Sequence, residues 1–155
     1  MGTVLFYHLT HSTVADTLAV ILPRARGQGW RAMVRGTDPV ALDRLDDQLW
    51  RIGGDEGFFP HGREGGAGDA DQPVLLGQGP VANGAQALAL IDGASAADAE
   101  IAAMERVWIL FDGAEADRLQ AARQQWKSIV AAGHAAQYWS EESGRWEKKV
   151  ESPPR

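Results

Sequence analysis

Short runs of apolar, β-forming residues alternate along the chain with segments whose apolar residues recur at helical spacing. The strand-like runs lie at residues 3–9, 30–35, 74–76, 87–91 and 107–111. The helical patterns lie at residues 14–26, 39–52, 95–106 and 115–132. Such alternation is typical of helices that connect the strands of a largely parallel sheet. We therefore predict an α/β fold with three layers and a Rossmann-like central sheet.

Cap and turn residues set the expected boundaries of these elements. Ser12 or Thr13 is the expected N-cap of the first helix, and Pro23 predicts a kink or an early end within it. Ser95, with an acidic residue three positions later, predicts the start of a helix that runs to about residue 106. Residues 62–72 are rich in glycine and acidic side chains, which predicts an exposed, mobile loop.

Length and charge limit the class of protein. A chain of 155 residues fits one domain, which we place at residues 1–150, with residues 151–155 as a frayed tail. The formal net charge of −6 argues against broad binding to DNA or to an anionic membrane. There is no signal-peptide pattern and no apolar stretch near the roughly 18 residues of a membrane span. We expect a soluble, cytoplasmic protein without membrane contact.

The motifs of nucleotide-binding and hydrolytic enzymes are absent. The turn after the first strand contains no glycine, and neither a P-loop nor a Gly-x-Ser-x-Gly elbow occurs anywhere. We therefore expect no catalytic residues and no cofactor. Asp92 and Asp112 each follow the carboxyl end of a strand, where α/β enzymes bind ligands, but aspartates are also common turn residues.

Metal binding is not expected either. The chain has no cysteine, which excludes disulfides, thiolate catalysis and Cys-ligated metals. His8 and His11 form a His-x-x-His pattern at a strand end, but no acidic residue stands close enough in sequence to complete a site. Histidines with polar partners in a turn are the simpler interpretation.

Tryptophan is unusually frequent, with six in the chain, and it is enriched at binding hot spots. Trp126 lies on the apolar stripe of the last predicted helix. Arg123 and Lys127, four residues apart, share a face at the edge of that stripe. Two interpretations stay open: a cationic pair that receives a carboxylate beside an apolar group, or an amphipathic helix with two solvated cations.

Several strings, taken together, resemble one known family. They are Val-Leu-Phe-Tyr-His-Leu at 4–9, Arg-Leu-Asp-Asp-Gln-Leu-Trp at 44–50, Phe-Phe-Pro-His-Gly at 58–62, Pro-Val-Leu-Leu at 73–76, the strand at 107–112, and Arg-Gln-Gln-Trp-Lys at 123–127. In this order, and over nearly the whole chain, they resemble the chi subunit of bacterial DNA polymerase III holoenzyme. The resemblance implies a fold similar to nucleotide-binding domains, without nucleotide binding or catalysis.

The resemblance also implies a function. Chi subunits join the clamp-loader assembly through the psi subunit, and they bind the acidic C-terminal tail of single-stranded-DNA-binding protein, which ends in phenylalanine. The function expected for this chain is therefore a non-catalytic accessory subunit that tethers the replisome to coated single strands and contacts DNA only indirectly. The alternative left open by the residues is a small nucleotide- or phosphate-using enzyme with its site at Asp92, Asp112 or the His8–His11 turn.

Carried over to this chain, the resemblance implies which residues bind the partner's tail. Arg123 and Lys127 would hold the terminal carboxylate and nearby aspartates. Trp126, with Phe111 or its neighbours, would form the wall of a phenylalanine pocket. Where the family commonly has a tyrosine-like aromatic this chain has Trp126, so the aromatic face is kept and a phenolic hydrogen bond is not.

A second expected interface involves Trp50 and Phe58, which match positions implicated in binding psi or an alternative helicase partner. Two segments depart from the family pattern. The acidic, glycine-rich loop after His61 is longer, and residues 144–149 extend beyond the family's common end. The lysines at positions 148 and 149 either add positive charge to a site or are simply exposed to solvent.

Overall fold

The computed structural model of the protein describes residues 2–53 and 61–153. In these ranges the strands are β1 Thr3–Leu9, β2 Ala32–Arg35, β3 Gly62–Arg63, β4 Val74–Gly77, β5 Ala87–Leu90, β6 Arg106–Asp112, β7 Ala135–Ser140 and β8 Glu147–Ser152. The α-helices are α1 Val14–Gly27, α2 Pro39–Gly53, α3 Asp98–Ala103 and α4 Ala116–Ala131. A 3-10 turn covers Asp69–Asp71.

All these strands form one sheet, in the order β3-β4-β2-β5-β6-β1-β7-β8. Neighbouring strands in the described part of the chain are parallel, except for β7 and β8, which are antiparallel. The first strand lies between β6 and β7, so its carboxyl end is flanked by strands from the second half of the chain. The predicted α/β fold with a largely parallel central sheet is confirmed.

Helices cover both faces of the sheet. Alternate residues of a strand point to opposite faces, and β1 illustrates this: Leu5 and Leu9 join the core beneath α1 and α2, whereas Val4 and Phe6 join the core beneath α3 and α4. The two apolar clusters lie on opposite sides of the sheet, which makes three layers. Burial on both faces is what parallel strands connected by helices require.

Helix α1 begins where the sequence predicts, directly after Thr13. Thr13 is the N-cap, and its side-chain oxygen accepts a hydrogen bond from the backbone N–H of Asp16 at 3.0 Å. The expectation of an early end at Pro23 is wrong, because α1 continues to Gly27. Pro23 is exposed, so its ring points to solvent rather than into the core.

The helix predicted from Ser95 to about residue 106 is wrong at both ends. The described helix α3 begins at Asp98, after Ala97, and has only six residues. The backbone oxygen of Ser95 instead accepts a hydrogen bond from the buried Arg35 guanidinium, at 3.1 Å. Arg106 belongs to β6, because it pairs with Thr3 of β1 across the sheet.

Two segments expected to be irregular contain strands. Within the predicted loop at residues 62–72, Gly62 and Arg63 pair with β4 at the sheet edge, and a 3-10 turn follows. At the other edge, β8 pairs with β7 and includes Glu151 and Ser152, which sequence analysis places in a frayed tail. Charged side chains dominate β8, so it carries no apolar run of the kind that marks the buried strands.

Candidate functional site

A groove of about 540 Å³ lies between α4 and the C-terminal hairpin of β7 and β8. Arg123 and Lys127 are exposed on α4, one helical turn apart, and the half-buried Trp126 lies beside them. The structure therefore brings these three predicted site residues together on one surface. The groove is lined by Gln120, Arg123, Trp126, Lys127, Tyr138, Lys149 and Val150.

The aromatic floor of the groove is fixed by packing. The Trp126 ring meets the fully buried Phe6 ring edge-on, with centroids 5.3 Å apart, and it meets the Tyr138 ring edge-on at 6.1 Å. Phe6 and Tyr138 are stacked at 6.2 Å. Three elements, α4, β1 and β7, thus hold one aromatic cluster, and such pairs stabilise beyond their buried area. The floor is preorganised, which lowers the entropic cost of binding a ligand.

Phe111 does not line this groove, although sequence analysis names it, or its neighbours, as part of a phenylalanine pocket. Its side chain is 4% exposed, and it lies behind Tyr138 with ring centroids 6.0 Å apart. Tyr138 occupies the groove instead. Both side chains face the α4 side of the sheet, since Phe111 lies opposite His8 and Tyr138 opposite Phe6 on β1, but strand order places β7 next to β8 and β6 further inside the sheet. Phe111 supports the floor from inside the core.

Tyr138 lines the groove and was missed by sequence analysis, as were Gln120 and Val150. Its phenolic oxygen lies 2.9 Å from Nδ1 of His8, so the hydroxyl already has a hydrogen-bond partner within the protein. Burial raises the pKa of Tyr138, while the charge of Arg123 opposes this rise. Tyr138 is therefore a neutral phenol at pH 7. The alternation of Ala136 and Tyr138 on one face was the signal in the sequence that could have placed it.

The two cations on α4 have no carboxylate partner within residues 2–53 and 61–153. Some other arginines do have one: Arg35 makes a bidentate contact with Glu100, and Arg63 meets Asp43 at 2.8 Å. Arg123 and Lys127 make no such ion pair in the described chain, although the protein is acidic overall. Positive charge beside an exposed aromatic surface is suited to an anionic group attached to an apolar one.

The second expected interface lies on the other face of the sheet. Trp50, in the last turn of α2, is 42% exposed, and its ring lies 4.2 Å from the ring of His61. His61 is buried and contacts Asp46 through Nε2 at 3.1 Å. Phe58 lies outside the described residues. The helix α2 packs on the face opposite α4, so Trp50 and the α4 groove belong to separate surfaces.

A small cavity of about 280 Å³ lies at the carboxyl ends of the strands, where the alternative enzyme would have its site. Asp92 and Asp112 both line it, as the topology predicts. Asp92 has a φ of 52°, and its backbone oxygen accepts hydrogen bonds from Thr37 and Arg118. The Asp112 carboxylate accepts the backbone N–H of Ala114 at 2.9 Å. Asp112 therefore makes the side-chain hydrogen bond of a turn residue, and the positive φ of Asp92 is also typical of a turn.

The turn after β1, where related folds bind phosphate, is filled by a side chain of the protein itself. Glu141 is 4% exposed, and its Oε1 accepts hydrogen bonds from the backbone N–H groups of Thr10 at 3.1 Å, His11 at 2.5 Å and Ser12. Its Oε2 accepts the Ser12 hydroxyl at 2.8 Å. Successive N–H groups of this kind form an anion site. Here the anion is a carboxylate fixed on the chain.

His8, near the end of β1, has polar side-chain partners, and His11 has one through its backbone. His8 contacts Tyr138 and lies 3.6 Å from the Glu142 carboxylate, and the backbone of His11 donates to Glu141. Among the described residues, no group of three or more His, Asp and Glu side chains is arranged to hold a metal ion. Within the same ranges, no helix has both the length and the apolar character needed to cross a membrane.

A comparison with known proteins identifies a family for this chain. No curated protein matches the chain significantly. The family model described as DNA polymerase III chi subunit, HolC, matches residues 1–137 of the 155. This range includes β1, the aromatic floor residues Phe6 and Trp126, and both cations of α4. The chain therefore belongs to the DNA polymerase III chi subunit family, whose members are accessory subunits of that polymerase.

Proposed function

We propose that this chi-family protein binds the acidic, phenylalanine-terminated C-terminal tail of single-stranded-DNA-binding protein in the groove between α4 and the C-terminal hairpin. The observation that carries the proposal is the pair of cations, Arg123 and Lys127, beside the exposed edge of Trp126. In this role the subunit links the clamp-loader assembly of the holoenzyme to coated single strands. DNA replication takes place in the cytoplasm of bacteria, and the protein is expected there.

The chemistry of the groove matches both parts of such a tail. Arg123 offers a planar fork of N–H donors for a carboxylate, and Lys127 offers a second positive charge one turn away. The phenylalanine ring of the tail would lie on Trp126 and Tyr138, where an edge-on or offset contact is favoured. The fixed floor means that the ring enters a preformed surface.

These contacts predict weak binding. A hydrogen bond to a charged group contributes about 1.5–3 kcal/mol, and burial of one aromatic side chain contributes a similar amount. The loss of translational and rotational freedom on association offsets much of this gain. We expect a micromolar dissociation constant that rises with salt, because the cations are exposed and screened. A multimeric partner presents several tails, so tethering gains from multivalency.

The test is a fluorescence-anisotropy titration with a labelled peptide that copies the tail of the host's single-stranded-DNA-binding protein. The wild-type protein should bind saturably, and binding should fall at least ten-fold in Lys127→Ala and Arg123→Ala. Arg44→Ala is the matched control, because it removes the same charge from an exposed position on α2, on the opposite face. A peptide without its last phenylalanine should bind more weakly.

Absence of binding by the wild-type protein at several hundred micromolar would overturn the proposal. Equal losses in Arg44→Ala and Lys127→Ala would also contradict it, because binding would then follow overall charge and not the groove. Thermal unfolding of each variant separates a lost contact from a lost fold.

The exposed Trp50 supports a second interface, with the psi subunit or a helicase, at the end of α2. An exposed tryptophan ring is a frequent centre of protein–protein contacts. Trp50→Ala should abolish capture of a purified psi protein or helicase of the same host, and should leave tail-peptide binding unchanged. Capture that is unaffected by the substitution would exclude this surface.

The structure lends less support to the alternative of a phosphate-using enzyme. The N–H groups that would hold a phosphate after β1 already bind Glu141. The cavity beside them is lined by the carboxylates of Asp92, Asp112 and Glu115 together with the cation Arg118. A phosphate placed there would meet net negative charge. The described geometry therefore favours an accessory function over a phosphate-using enzyme.

A further inference from the structure

Strand β8 lies entirely beyond the residues that match the chi family, yet it contributes to the groove. The match ends at residue 137, and β8 covers Glu147–Ser152. Lys149 and Val150 of β8 line the groove opposite α4. The added strand therefore gives the groove a second wall, formed by residues outside the family pattern.

A β-bulge in the hairpin explains why two consecutive residues face the groove. Tyr138 pairs with Val150, but the next residue, Trp139, pairs with Lys148, so Lys149 is an extra residue in β8. Without the bulge, Val150 and Lys148 would share a face, because side chains alternate along a strand. A bulge redirects side chains in this way.

The two faces of the hairpin are distinct. Tyr138 lines the groove, whereas Trp139 lines a different cavity with Leu5 and Tyr7, beneath α1. Lys148, opposite Trp139, is therefore on the far face, and Val150, opposite Tyr138, is on the groove face. The bulge divides the adjacent lysines between the two sides of the sheet.

The exposed Val150 is the apolar part of this wall. It is 49% exposed on the face that Tyr138 also occupies. The ion pair of Lys149 with Glu147 is long, at 3.4 Å, and both side chains are 44% exposed. Such exposed pairs contribute little, so a carboxylate ligand can compete with Glu147 for the ammonium group.

We infer that β8 is a specificity wall of the tail site: Val150 covers the ring of the peptide's terminal phenylalanine against Trp126 and Tyr138, and Lys149 attracts an acidic residue upstream of it. This inference rests on the proposed function, since it assigns further residues to the same site. The occupant is a peptide C-terminus that is both acidic and aromatic, because the wall pairs one positive charge with one apolar side chain.

The experiment compares three variants of the full chain. Lys149→Ala removes the charge and Val150→Thr replaces the apolar side chain by a polar one of the same shape that is also favoured in strands. Lys148→Ala is the matched control. Its ammonium meets Glu151 at 3.1 Å, and its side chain is 40% exposed, so it resembles Lys149 in charge, exposure and pairing but faces the other side.

Each variant is titrated with three peptides at low and high salt: the tail peptide, the same peptide with its phenylalanine changed to alanine, and the same peptide with its acidic residues changed to amides. Lys149→Ala should weaken binding of the tail peptide about two- to five-fold at low salt. The loss should vanish at high salt and with the amide peptide. Val150→Thr should weaken binding by a similar factor at both salts, with no loss for the alanine peptide.

The outcomes separate this inference from the proposed function. Wild-type affinity in Lys149→Ala and Val150→Thr, together with loss in Lys127→Ala, would overturn the inference and leave the tail site on α4 intact. Equal losses in Lys148→Ala and Lys149→Ala would also overturn it. If the wild-type protein does not bind the tail peptide at all, the proposed function fails and the wall has no such ligand.

Discussion

Removal of the Glu141 carboxylate should destabilise the protein strongly, because this side chain closes the turn between β1 and α1. One carboxylate accepts three backbone N–H groups and one hydroxyl, all from residues 10–12. The residue is 4% exposed and lies just after β7, at the end of the strand next to β1. In Glu141→Ala these donors lose their acceptor.

The magnitude follows from the number and kind of hydrogen bonds. A hydrogen bond to a charged group contributes about 1.5–3 kcal/mol, and four bonds to one carboxylate do not add, since they share one charge. Water can reach part of the turn in the variant. We therefore expect Glu141→Ala to lower the free energy of unfolding by about 3 kcal/mol, which corresponds to a fall in Tm of about 6–12 °C for a chain of this length.

The pH dependence gives a second, independent readout. Burial by itself raises the pKa of Glu141, but the hydrogen bonds from the turn together outweigh it and hold the pKa below its ordinary value of 4.5. A carboxyl group with a lowered pKa in the folded state stabilises the protein above its unfolded pKa, and this contribution is lost as the pH falls through the folded value. The difference between wild type and Glu141→Gln should thus be largest near pH 7 and should shrink below pH 4.5.

Urea unfolding of wild type, Glu141→Ala and Glu141→Gln at a series of pH values from 7 to 3 measures both effects. Glu142→Gln is the control, because the next carboxylate is exposed and lies 3.6 Å from His8 instead of in the turn. A free energy of unfolding of Glu141→Ala within 0.5 kcal/mol of wild type at pH 7, on the scale of an ordinary surface substitution, would refute the reasoning. So would a difference that does not change with pH.

Three further substitutions test the aromatic floor. Trp126→Ala should lower the free energy of unfolding by about 2 kcal/mol in urea unfolding, less than a fully buried tryptophan would, and should abolish tail-peptide binding. Tyr138→Phe removes the hydroxyl bonded to His8 and should cost about 1 kcal/mol by the same measurement, with peptide affinity unchanged within two-fold. Gly113→Ala should lower Tm by several degrees, because its Cβ would overlap the His8 ring, which Tyr138 holds in place.

The buried strands and long helices were predictable because one physical pattern determines each of them. Apolar runs at 3–9 and 107–111 became β1 and β6, which pair with each other at the centre of the sheet. The helical stripe around Ala122 and Ile129 became the buried face of α4. These segments fold as local preference and burial both require, so a single sequence contains enough information.

The edges of the sheet were not predictable in the same way. Strand β8 is rich in charged residues, as exposed edge strands often are, and it owes its place to pairing with β7. Strand β3 has only two residues, Gly62 and Arg63, so it has no pattern to detect. Helix α3 ends at Ala103, and Arg106, which was expected in this helix, pairs with β1 and β5 as part of β6. In each case a contact distant in sequence decides the structure.

Sequence analysis likewise identified one part of the candidate site and missed the other. Arg123, Trp126 and Lys127 share one helix, and their spacing alone was enough to group them. The rest of the groove comes from β7 and β8, and which strand lies beside α4 at this edge depends on strand order. Sequence analysis named Phe111 of β6, but the order β6-β1-β7-β8 places Tyr138 of β7 in the groove. Strand order is set by the whole sheet and is not visible in a short motif.

Residues after the family match perform two separable tasks in this fold. Glu141, directly after β7, accepts the backbone N–H groups of the turn where nucleotide-binding folds bind phosphate, and β8 supplies a wall of the α4 groove. The first task acts through hydrogen bonds to the turn after β1, and the second through side chains on the hairpin. Glu141→Gln should therefore lower stability without changing tail-peptide affinity. Val150→Thr should lower tail-peptide affinity without changing stability. A loss of affinity in Glu141→Gln at a temperature where it is fully folded would mean that the turn and the groove are one coupled site.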